Sequence, residues 1–447
     1  MKYFLNLLLL LTISGPLSAQ VEKVTPIVKT SKVIIDQFMD LRFGLFIHWG
    51  PVALRGTEIG WSRGNQVPFE DYDQLYKEFN PVLFNAEEWV KTAKNAGMKY
   101  LTITAKHHDG FCLWPTKFSD LNIMETPFKR DVVGELAAAC KKHGLKFCIY
   151  FTVLDWHDPH YPYARAGTKE INATTDMAKF VATMKDELTE ILTNYDPYML
   201  WFDGNWDKEW TDAHAQEVYA LLKQLKPDVI INNRLKGISD FDRTREDHTR
   251  LSSDAIGDYA TPEQKIGALN MDYPWESCMT IANQWAWKPN DALKSTKECI
   301  QTLAKTAAGN GNLLFNVGPM LDGRIEARQN NRLKEMGDWL NTYGESIYGT
   351  KGGPFIPNNT YASTRKGNVL YVHVFDRKED VLTLPALKGI KVKKAHILNG
   401  DVITFSQSVT GSIALSLPTQ LPNPDDTVIV LELNKNAESI PVVAQSN

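Results

Sequence analysis

The sequence lacks the features of several common classes of protein. It has only five cysteines in 447 residues, an odd number with no CxxC pair, and so predicts neither a disulfide framework nor a structural zinc site. Its 49 basic residues are outnumbered by 53 acidic ones, a balance that gives no basic surface for nucleic acid. No apolar stretch beyond the N-terminus is long enough to span a bilayer, and no repeat or low-complexity tract stands out.

The N-terminus carries a processing signal. Lys2 supplies a positive charge, residues 5–13 are mostly apolar, and residues 14–20 break the run with small side chains. This order is typical of a secretory signal peptide, and the apolar part is too short for a transmembrane helix. No cysteine follows the small residues to carry a lipid anchor. We therefore expect residues 1–19 to be a signal peptide and the protein to be exported, to a periplasm or beyond.

Apolar runs of strand length recur along the first three quarters of the chain, and each ends in polar residues. These runs are residues 43–47, 100–104, 147–151, 198–202, 228–231 and 313–315. Continuous apolar runs are typical of strands that are buried on both faces, as in parallel sheets. Several amphipathic stretches of helical length separate them, at residues 86–96, 133–143, 177–195 and 213–225. The alternation predicts an α/β fold, a (β/α)8-type, TIM-like barrel whose strands all end at one open face.

The pattern changes after residue 348. Short alternating segments follow, at residues 369–375, 381–384, 392–398, 413–417 and 427–433, with turn signals at Gly367, Asn399-Gly400 and 422–424. This pattern predicts an antiparallel β-sandwich. We therefore predict a catalytic barrel over residues 20–348 and a C-terminal β-sandwich domain over residues 349–447.

The most informative segment is the apolar run that ends in Asp203 and Gly204. A carboxylate at the carboxyl end of a barrel strand lies where such barrels carry their catalytic groups. A strand-end aspartate can also cap a helix or close a turn, but other runs repeat the same pattern and favour the catalytic interpretation. The polar residues of those runs should converge on Asp203: His48, His107, His108, Tyr150 and Arg234.

A second carboxyl group is needed if the chemistry is glycoside hydrolysis, because one carboxylate attacks the anomeric carbon and another protonates the departing oxygen. Asp203 suits the first role. For the second role, Glu263 and Glu276 both lie near aromatic residues in loop-like sequence. Partial burial raises the pKa of such a group, although glutamates in loops are more often solvated surface residues. The residues alone leave the choice open.

The histidines admit two interpretations. His48, His107 and His108, together with Asp109, are possible metal ligands of a metal-dependent hydrolase. They lack the helical spacing typical of zinc ligands, so hydrogen bonding to sugar hydroxyls is the favoured role. The 12 tryptophans are a high number for the chain, and their faces suit stacking on sugar rings, although many will be core residues.

An ordered set of segments resembles the α-L-fucosidases of glycoside hydrolase family 29. The segments are residues 42–50, 106–111, 114–116, 155–157, 201–204, 314–319 with 322–323, and 344–348. The resemblance implies an irregular (β/α)8-type barrel followed by a β-sandwich. It also implies a retaining, exo-acting α-L-fucosidase that acts on fucosylated oligosaccharides or glycoconjugates and needs no metal or organic cofactor.

The resemblance further implies roles for individual residues. Asp203 would be the nucleophile and Glu263 the acid/base, with Glu276 as the alternative acid/base or a supporting residue of the pocket. The other expected substrate-binding residues are His48, Glu58, Trp61, His107, His108, Tyr150, Trp201, Arg234 and the pair Trp285 and Trp287. Family members often have an adjacent Glu-Trp pair where this chain has Glu58-Ile59-Gly60-Trp61. An inactive barrel that only binds fucosylated glycans is the other alternative, and the presence of Asp203 and both candidate acids speaks against it.

Overall fold

A computed structural model of the protein describes residues 29–165, 167–168, 170–237, 249–252 and 254–443. The predicted signal peptide, residues 1–19, lies outside the described residues. In the part of the chain that is described, no helix combines the length and apolar character needed to cross a membrane. All five cysteines are free and buried.

Seven parallel strands form the first sheet. They are β1 Phe43–Ile47, β2 Tyr100–Lys106, β3 Lys146–Thr152, β4 Met199–Asp203, β5 Ile230–Ile231, β6 Glu276–Thr280 and β7 Asn312–Val317. Their order in the sheet is β5-β4-β3-β2-β1-β7-β6. The sequence predicts all of them except β6, whose segment looks like a loop. That expectation for Glu276 is wrong, because β6 pairs with β7 along its whole length.

Residues 259–263 lie between the two edge strands of this sheet. Single parallel bridges join Asn232 to Tyr259, Ala260 to Trp275, and Glu263 to Cys278. The segment therefore occupies the position of an eighth strand between β5 and β6, although it is too irregular to form one. The predicted TIM-like architecture is confirmed.

Eight α-helices surround or follow the strands in the described part of the chain. They are α1 Lys32–Leu41, α2 Phe69–Tyr72, α3 Ala86–Asn95, α4 Val132–His143, α5 Met177–Tyr195, α6 Asp212–Leu225, α7 Thr296–Ala308 and α8 Ala327–Tyr343. Single 3-10 turns cover Pro51–Leu54, Leu75–Lys77, Ile123–Glu125, Asn233–Leu235, Gly344–Ser346 and Ala437–Ser439. Side chains that accept backbone N–H groups fix where α3 to α7 begin: Asn85, Asp131, Asp176, Thr211 and Ser295.

Aromatic side chains fill the interior of the barrel beneath its open face. They include Phe46, Tyr100, Tyr150, Trp201 and Tyr259, all buried in one cluster. The space is so tight that a Cβ atom at Gly44 would lie 2.2 Å from the ring of Tyr100, so no side chain fits at that position. This packed floor supports the residues that line the open face.

Antiparallel strands form the C-terminal part of the chain. They are β8 Lys351–Gly352, β9 Tyr361–Lys366, β10 Val369–Val374, β11 Val381–Leu384, β12 Val392–Ile397, β13 Phe405–Gln407, β14 Ile413–Ser416 and β15 Thr427–Leu433. One sheet has the order β12-β15-β10-β9-β8 and the other β11-β14-β13, with a shared apolar core. The predicted C-terminal β domain is confirmed, whereas the exact boundary at residue 348 stays a prediction. The domain packs against α7 and α8, where Gln301 Nε2 donates to Asp425 O and Trp339 Nε1 donates to Asp426 O.

Candidate active site

A small cavity of about 90 Å³ opens at the carboxyl ends of the barrel strands. The cavity brings together ten residues that the sequence predicts at the site: His48, Glu58, Trp61, His107, Tyr150, Trp201, Asp203, Arg234, Glu263 and Trp285.

Three predicted residues do not line this cavity, namely His108, Glu276 and Trp287. Four lining residues are absent from the prediction: Phe46, Ile59, Trp206 and Cys278. Of these, Trp206 carries a sequence signal, because it follows Asp203 by three residues in the same strand-end loop. The other three are ordinary apolar or thiol side chains, which only the fold brings to the cavity.

Asp203 ends β4 with its carboxylate at the cavity. Its Oδ1 accepts a hydrogen bond from Arg234 Nη1 at 2.9 Å, and its Oδ2 accepts one from Tyr150 Oη at 3.2 Å. Burial raises the pKa of Asp203, but the charge of Arg234 and the hydrogen bonds from Arg234 and the backbone of Gly204 outweigh this effect, and the pKa lies below its ordinary value. Asp203 is therefore ionised at neutral pH, as a carboxylate nucleophile has to be.

A single nitrogen of Arg234 contacts two carboxylates. Arg234 Nη1 lies 2.9 Å from Asp203 Oδ1 and 2.8 Å from Glu263 Oε2. The two contacts limit the distance between these oxygens to less than about 6 Å, which is shorter than the roughly 6.5 to 9.5 Å of inverting glycosidases and compatible with the roughly 5 to 5.5 Å of retaining ones. The Glu263 side chain is 43% exposed at the mouth of the cavity, whereas that of Asp203 is 15% exposed.

Thr261 and Trp201 hold Arg234 in this position. Arg234 Nε donates to Thr261 Oγ1 at 2.9 Å, and Nη2 donates to the carbonyl of Thr261 at 3.1 Å. The Thr261 hydroxyl itself donates to Asn233 Oδ1 at 2.8 Å, and Arg234 Cζ lies 4.7 Å from the centre of the Trp201 ring. The segment 259–263 thus carries both Glu263 and the groups that orient the guanidinium.

His48 is a neutral hydrogen-bonding group. Asn316 Nδ2 donates to the carbonyl of Trp285 at 2.7 Å, which orients the amide so that Asn316 Oδ1 faces His48 Nδ1. This oxygen accepts a hydrogen bond from His48 Nδ1 at 2.7 Å. Burial lowers the pKa of His48 to about 3. The other ring nitrogen, Nε2, is therefore an acceptor at neutral pH and can accept a hydrogen bond from a hydroxyl group.

His107 and His108 face different environments, because adjacent side chains at the end of a strand point to opposite sides. His107 lines the cavity, stacks on Tyr150 at 5.3 Å, and has a buried Nδ1 with no partner among the described residues. His108 lies behind Asp203, with Nε2 3.7 Å from Asp203 Oδ2 and Nδ1 2.8 Å from Thr152 Oγ1. Burial lowers the pKa of His108 to about 4, so this ring is a neutral neighbour of Asp203.

The imidazoles do not form a recognisable metal centre. Across the described ranges, no group of three or more His, Cys, Asp or Glu side chains is arranged to hold a metal ion. The Nδ1 atoms of His48 and His108 are taken up by protein hydrogen bonds. The cavity-facing imidazoles of His48 and His107 instead present nitrogen atoms that suit sugar hydroxyls.

Glu276 lies in the barrel interior below the cavity and is fully buried. Its carboxylate accepts hydrogen bonds from Tyr100 Oη at 2.5 Å and Trp201 Nε1 at 3.1 Å. Burial raises the pKa of Glu276 to about 7, although these hydrogen bonds oppose the shift. Trp201 contacts both Glu276 and Arg234, and Glu276 itself does not line the cavity.

Glu58 and Trp285 connect two loops at the rim. The Glu58 carboxylate accepts from the backbone N–H groups of Trp285 at 2.7 Å and Ala286 at 3.2 Å. Both Glu58 and Trp61 line the cavity, so the altered spacing of the Glu-Trp pair still brings both residues to the site. Of the two candidate tryptophans, Trp285 reaches the cavity and Trp287 does not.

Comparison with known proteins gives consistent results. A family model described as α-L-fucosidase matches residues 17–345. The chain is 30% identical to the human tissue α-L-fucosidase, with 86% of this chain and 85% of that protein covered. It is similar to the structure of α-L-fucosidase isoenzyme 1 from Paenibacillus thiaminolyticus, with 33% identity, a TM-score of 0.80 and coverage of 90% and 99%.

A second similar structure is a family 29 α-L-fucosidase from Bacteroides thetaiotaomicron. That protein is described as a trapped covalent intermediate, in complex with 2-fluoro-fucosyl fluoride, in a glutamate-to-glutamine mutant. The identity is 31% and the TM-score 0.81, with 92% of this chain and 98% of that chain covered.

Proposed function

Because the chain belongs to the α-L-fucosidase family, glycoside hydrolase family 29, we propose that it hydrolyses terminal α-L-fucose from fucosylated glycans by double displacement. The observation that carries the proposal is the pair of carboxylates at Asp203 and Glu263, whose oxygens contact the same nitrogen of Arg234 and so lie closer together than the roughly 6.5 to 9.5 Å of inverting enzymes. The trapped covalent intermediate of the Bacteroides thetaiotaomicron relative supports the same chemistry.

In the first step, the Asp203 carboxylate attacks the anomeric carbon of fucose. The bond from that carbon to the leaving oxygen breaks as the bond to Asp203 forms, and Glu263 gives its proton to the leaving oxygen. Tyr150 and Arg234, which donate to Asp203 in the free enzyme, keep the carboxylate ionised and oriented before the attack.

In the second step, Glu263 accepts a proton from a water molecule that attacks the same carbon. The bond to Asp203 breaks and the carboxylate is regenerated. Two inversions at one carbon give net retention, so the released fucose has the α configuration. The neutral His48 and His107 would bind fucose hydroxyls, and Trp285 would pack against the methyl group of fucose.

The stereochemistry of the product tests this proposal directly. Proton NMR during hydrolysis of an aryl α-L-fucoside should show α-L-fucose first, with the β anomer appearing only through mutarotation. An initial β product would contradict the double displacement.

Exhaustive chelation of metal ions should leave the rate of hydrolysis unchanged. A loss of activity on chelation would favour the alternative, a metal-dependent hydrolase that uses His48, His107 and His108.

Thr261 provides a test of how Arg234 acts on Asp203. In Thr261→Val, the Arg234 Nε–H loses its hydroxyl acceptor, and the guanidinium should be less well held beside Asp203. The pKa of Asp203 should then rise, because burial raises it and the charge of Arg234 would counteract burial less. Since the reaction needs the ionised carboxylate, the acid limb of the kcat/KM profile against pH should move to higher pH.

Thr261→Ser is the matched control, because it keeps the hydroxyl group and should retain the wild-type profile. The measurement is kcat/KM for an aryl α-L-fucoside between about pH 3 and pH 8, a range that spans the ordinary titration of a carboxyl group. A valine variant with lower activity but an unmoved acid limb would show that Thr261 acts only through packing.

We also propose that the protein is exported, on the strength of the N-terminal charge, apolar run and small residues in positions 1–19. Expression of the full chain in a bacterial host with separation of periplasm and cytoplasm tests this. Mass spectrometry should find a mature N-terminus close to Gln20 in the exported fraction. An uncleaved cytoplasmic product would contradict the proposal.

A further inference from the structure

Two tryptophans stand apart from the other residues that line the cavity. Most of the lining is deeply buried, including His48, His107 and Tyr150, and forms a floor. Trp61 is 43% exposed and Trp206 is partly exposed, although both line the same cavity. An exposed indole at the mouth of a pocket is apolar surface that a ligand can cover.

The two indoles pack against each other. Their ring centres are 5.7 Å apart and their planes differ by 31°, an inclined contact that makes them one aromatic surface at the cavity. Trp156 packs edge-on against Trp61, and His108 packs edge-on against both Trp61 and Trp206. Gly60, with φ of +71°, lets the loop approach so closely that a Cβ would lie 3.3 Å from His107 Nδ1. The surface is therefore built into the site before any ligand binds.

The position of these indoles relative to the carboxylates indicates what they meet. Asp203 lies on the buried side of the cavity, while Glu263 is exposed at the mouth. In the proposed mechanism Glu263 protonates the leaving oxygen, so the leaving group has to extend from the floor towards the mouth. Trp61 and Trp206 lie on that same mouth.

We propose that Trp61 and Trp206 form a binding site for the first sugar of the leaving group. This sugar is a neutral pyranose whose apolar C–H face stacks on the indoles. The inference rests on the proposed function and narrows the substrate class to oligosaccharides. Burial of apolar sugar surface on an aromatic face supplies the binding energy.

The charges at the mouth support a neutral sugar. With Glu263 protonated for the first step, the carboxylates of Glu58 and Asp203 line the cavity with Arg234 as the one cation among the described lining residues, and His48 and His107 are neutral because burial lowers their pKa values. An anionic leaving group would meet net negative charge there. A uronic acid in the leaving position should therefore be disfavoured relative to the corresponding neutral hexose.

The test compares two substrates that share fucose and differ in the leaving group. One is an α-L-fucosyl disaccharide with a neutral hexose, and the other is α-L-fucosyl fluoride, whose leaving group has no ring to stack. The ratio of kcat/KM for the disaccharide to kcat/KM for the fluoride should fall roughly tenfold in Trp206→Ala, the loss expected for one aromatic stacking contact. Because the ratio is taken on one preparation, it is independent of the fraction of folded enzyme.

Further variants and a charged substrate make the result decisive. Trp206→Phe, which keeps an aromatic face, should retain most of the ratio. Phe118→Ala, at an exposed aromatic that does not line the cavity, should leave it unchanged. An unchanged ratio in both Trp206→Ala and Trp61→Ala would overturn the inference, as would faster turnover of a uronic acid disaccharide. If the wild type cleaved neither the fluoride nor the disaccharide, that result would instead count against the proposed function.

Discussion

Replacing Asp203 by glycine is expected to lower turnover of every α-L-fucoside by roughly 10⁴-fold or more, the scale seen when a covalent nucleophile is removed. The side chain ends at a cavity and is held by Arg234 and Tyr150, so its removal eliminates the bond-forming atom. The measurement is kcat for an aryl α-L-fucoside, with folding checked by the thermal unfolding midpoint.

Azide should restore part of the activity of Asp203→Gly. The anion fits the space left by the carboxylate and attacks the anomeric carbon from the same side, so the product should be β-L-fucosyl azide. Asp207→Asn is a suitable control, because Asp207 lies four residues away, pairs with Tyr161 and does not line the cavity. The assignment of Asp203 would be contradicted if azide failed to restore activity to Asp203→Gly, or if the product were the α-azide.

Replacing Glu263 by glutamine should produce the second large effect, and one that depends on the leaving group. For a fucosyl oligosaccharide, whose leaving alcohol needs protonation, kcat/KM should fall roughly 10²- to 10⁴-fold. For an aryl fucoside with a strongly acidic phenol, kcat/KM should fall far less, because that phenolate departs without a proton. A plot of log kcat/KM against leaving-group pKa should therefore become steeper in the variant.

Glu276→Gln is the matched comparison, since it alters the other candidate glutamate. The amide can still accept from Trp201 Nε1, so the variant keeps the support that Glu276 gives to the floor. Its effect on kcat/KM should be similar for good and poor leaving groups. A steep dependence on the leaving group at Glu276, together with none at Glu263, would reverse the two assignments.

The buried carboxylate of Glu276 also explains where sequence reasoning failed. The apolar runs at β1, β2, β3, β4 and β7 predict their strands because barrel strands are covered on both faces. Strand β6 begins with a glutamate and a serine, which look like loop residues. The Glu276 carboxylate is satisfied by partners from far along the chain, Tyr100 and Trp201, and no local pattern reveals such partners.

Long-range contacts decided the details of the site as well. Adjacent histidines look equivalent in sequence, but the end of β2 directs His107 into the cavity and His108 behind Asp203. Trp285 and Trp287 differ in the same way, because only Trp285 reaches the cavity. Thr261 has no recognisable signal in the sequence, and its importance follows from its two hydrogen bonds to Arg234.

The sequence by itself determined the barrel, the C-terminal β domain and the carboxylate at the end of β4, because these depend on local periodicity and on where a strand stops. Only the tertiary structure decided which glutamate lies near Asp203. Glu263 and Glu276 are both far from Asp203 along the chain, and the segment between β5 and β6 brings one of them to Arg234. Distance between side chains is a property of the folded chain, and the proposed chemistry depends on that distance.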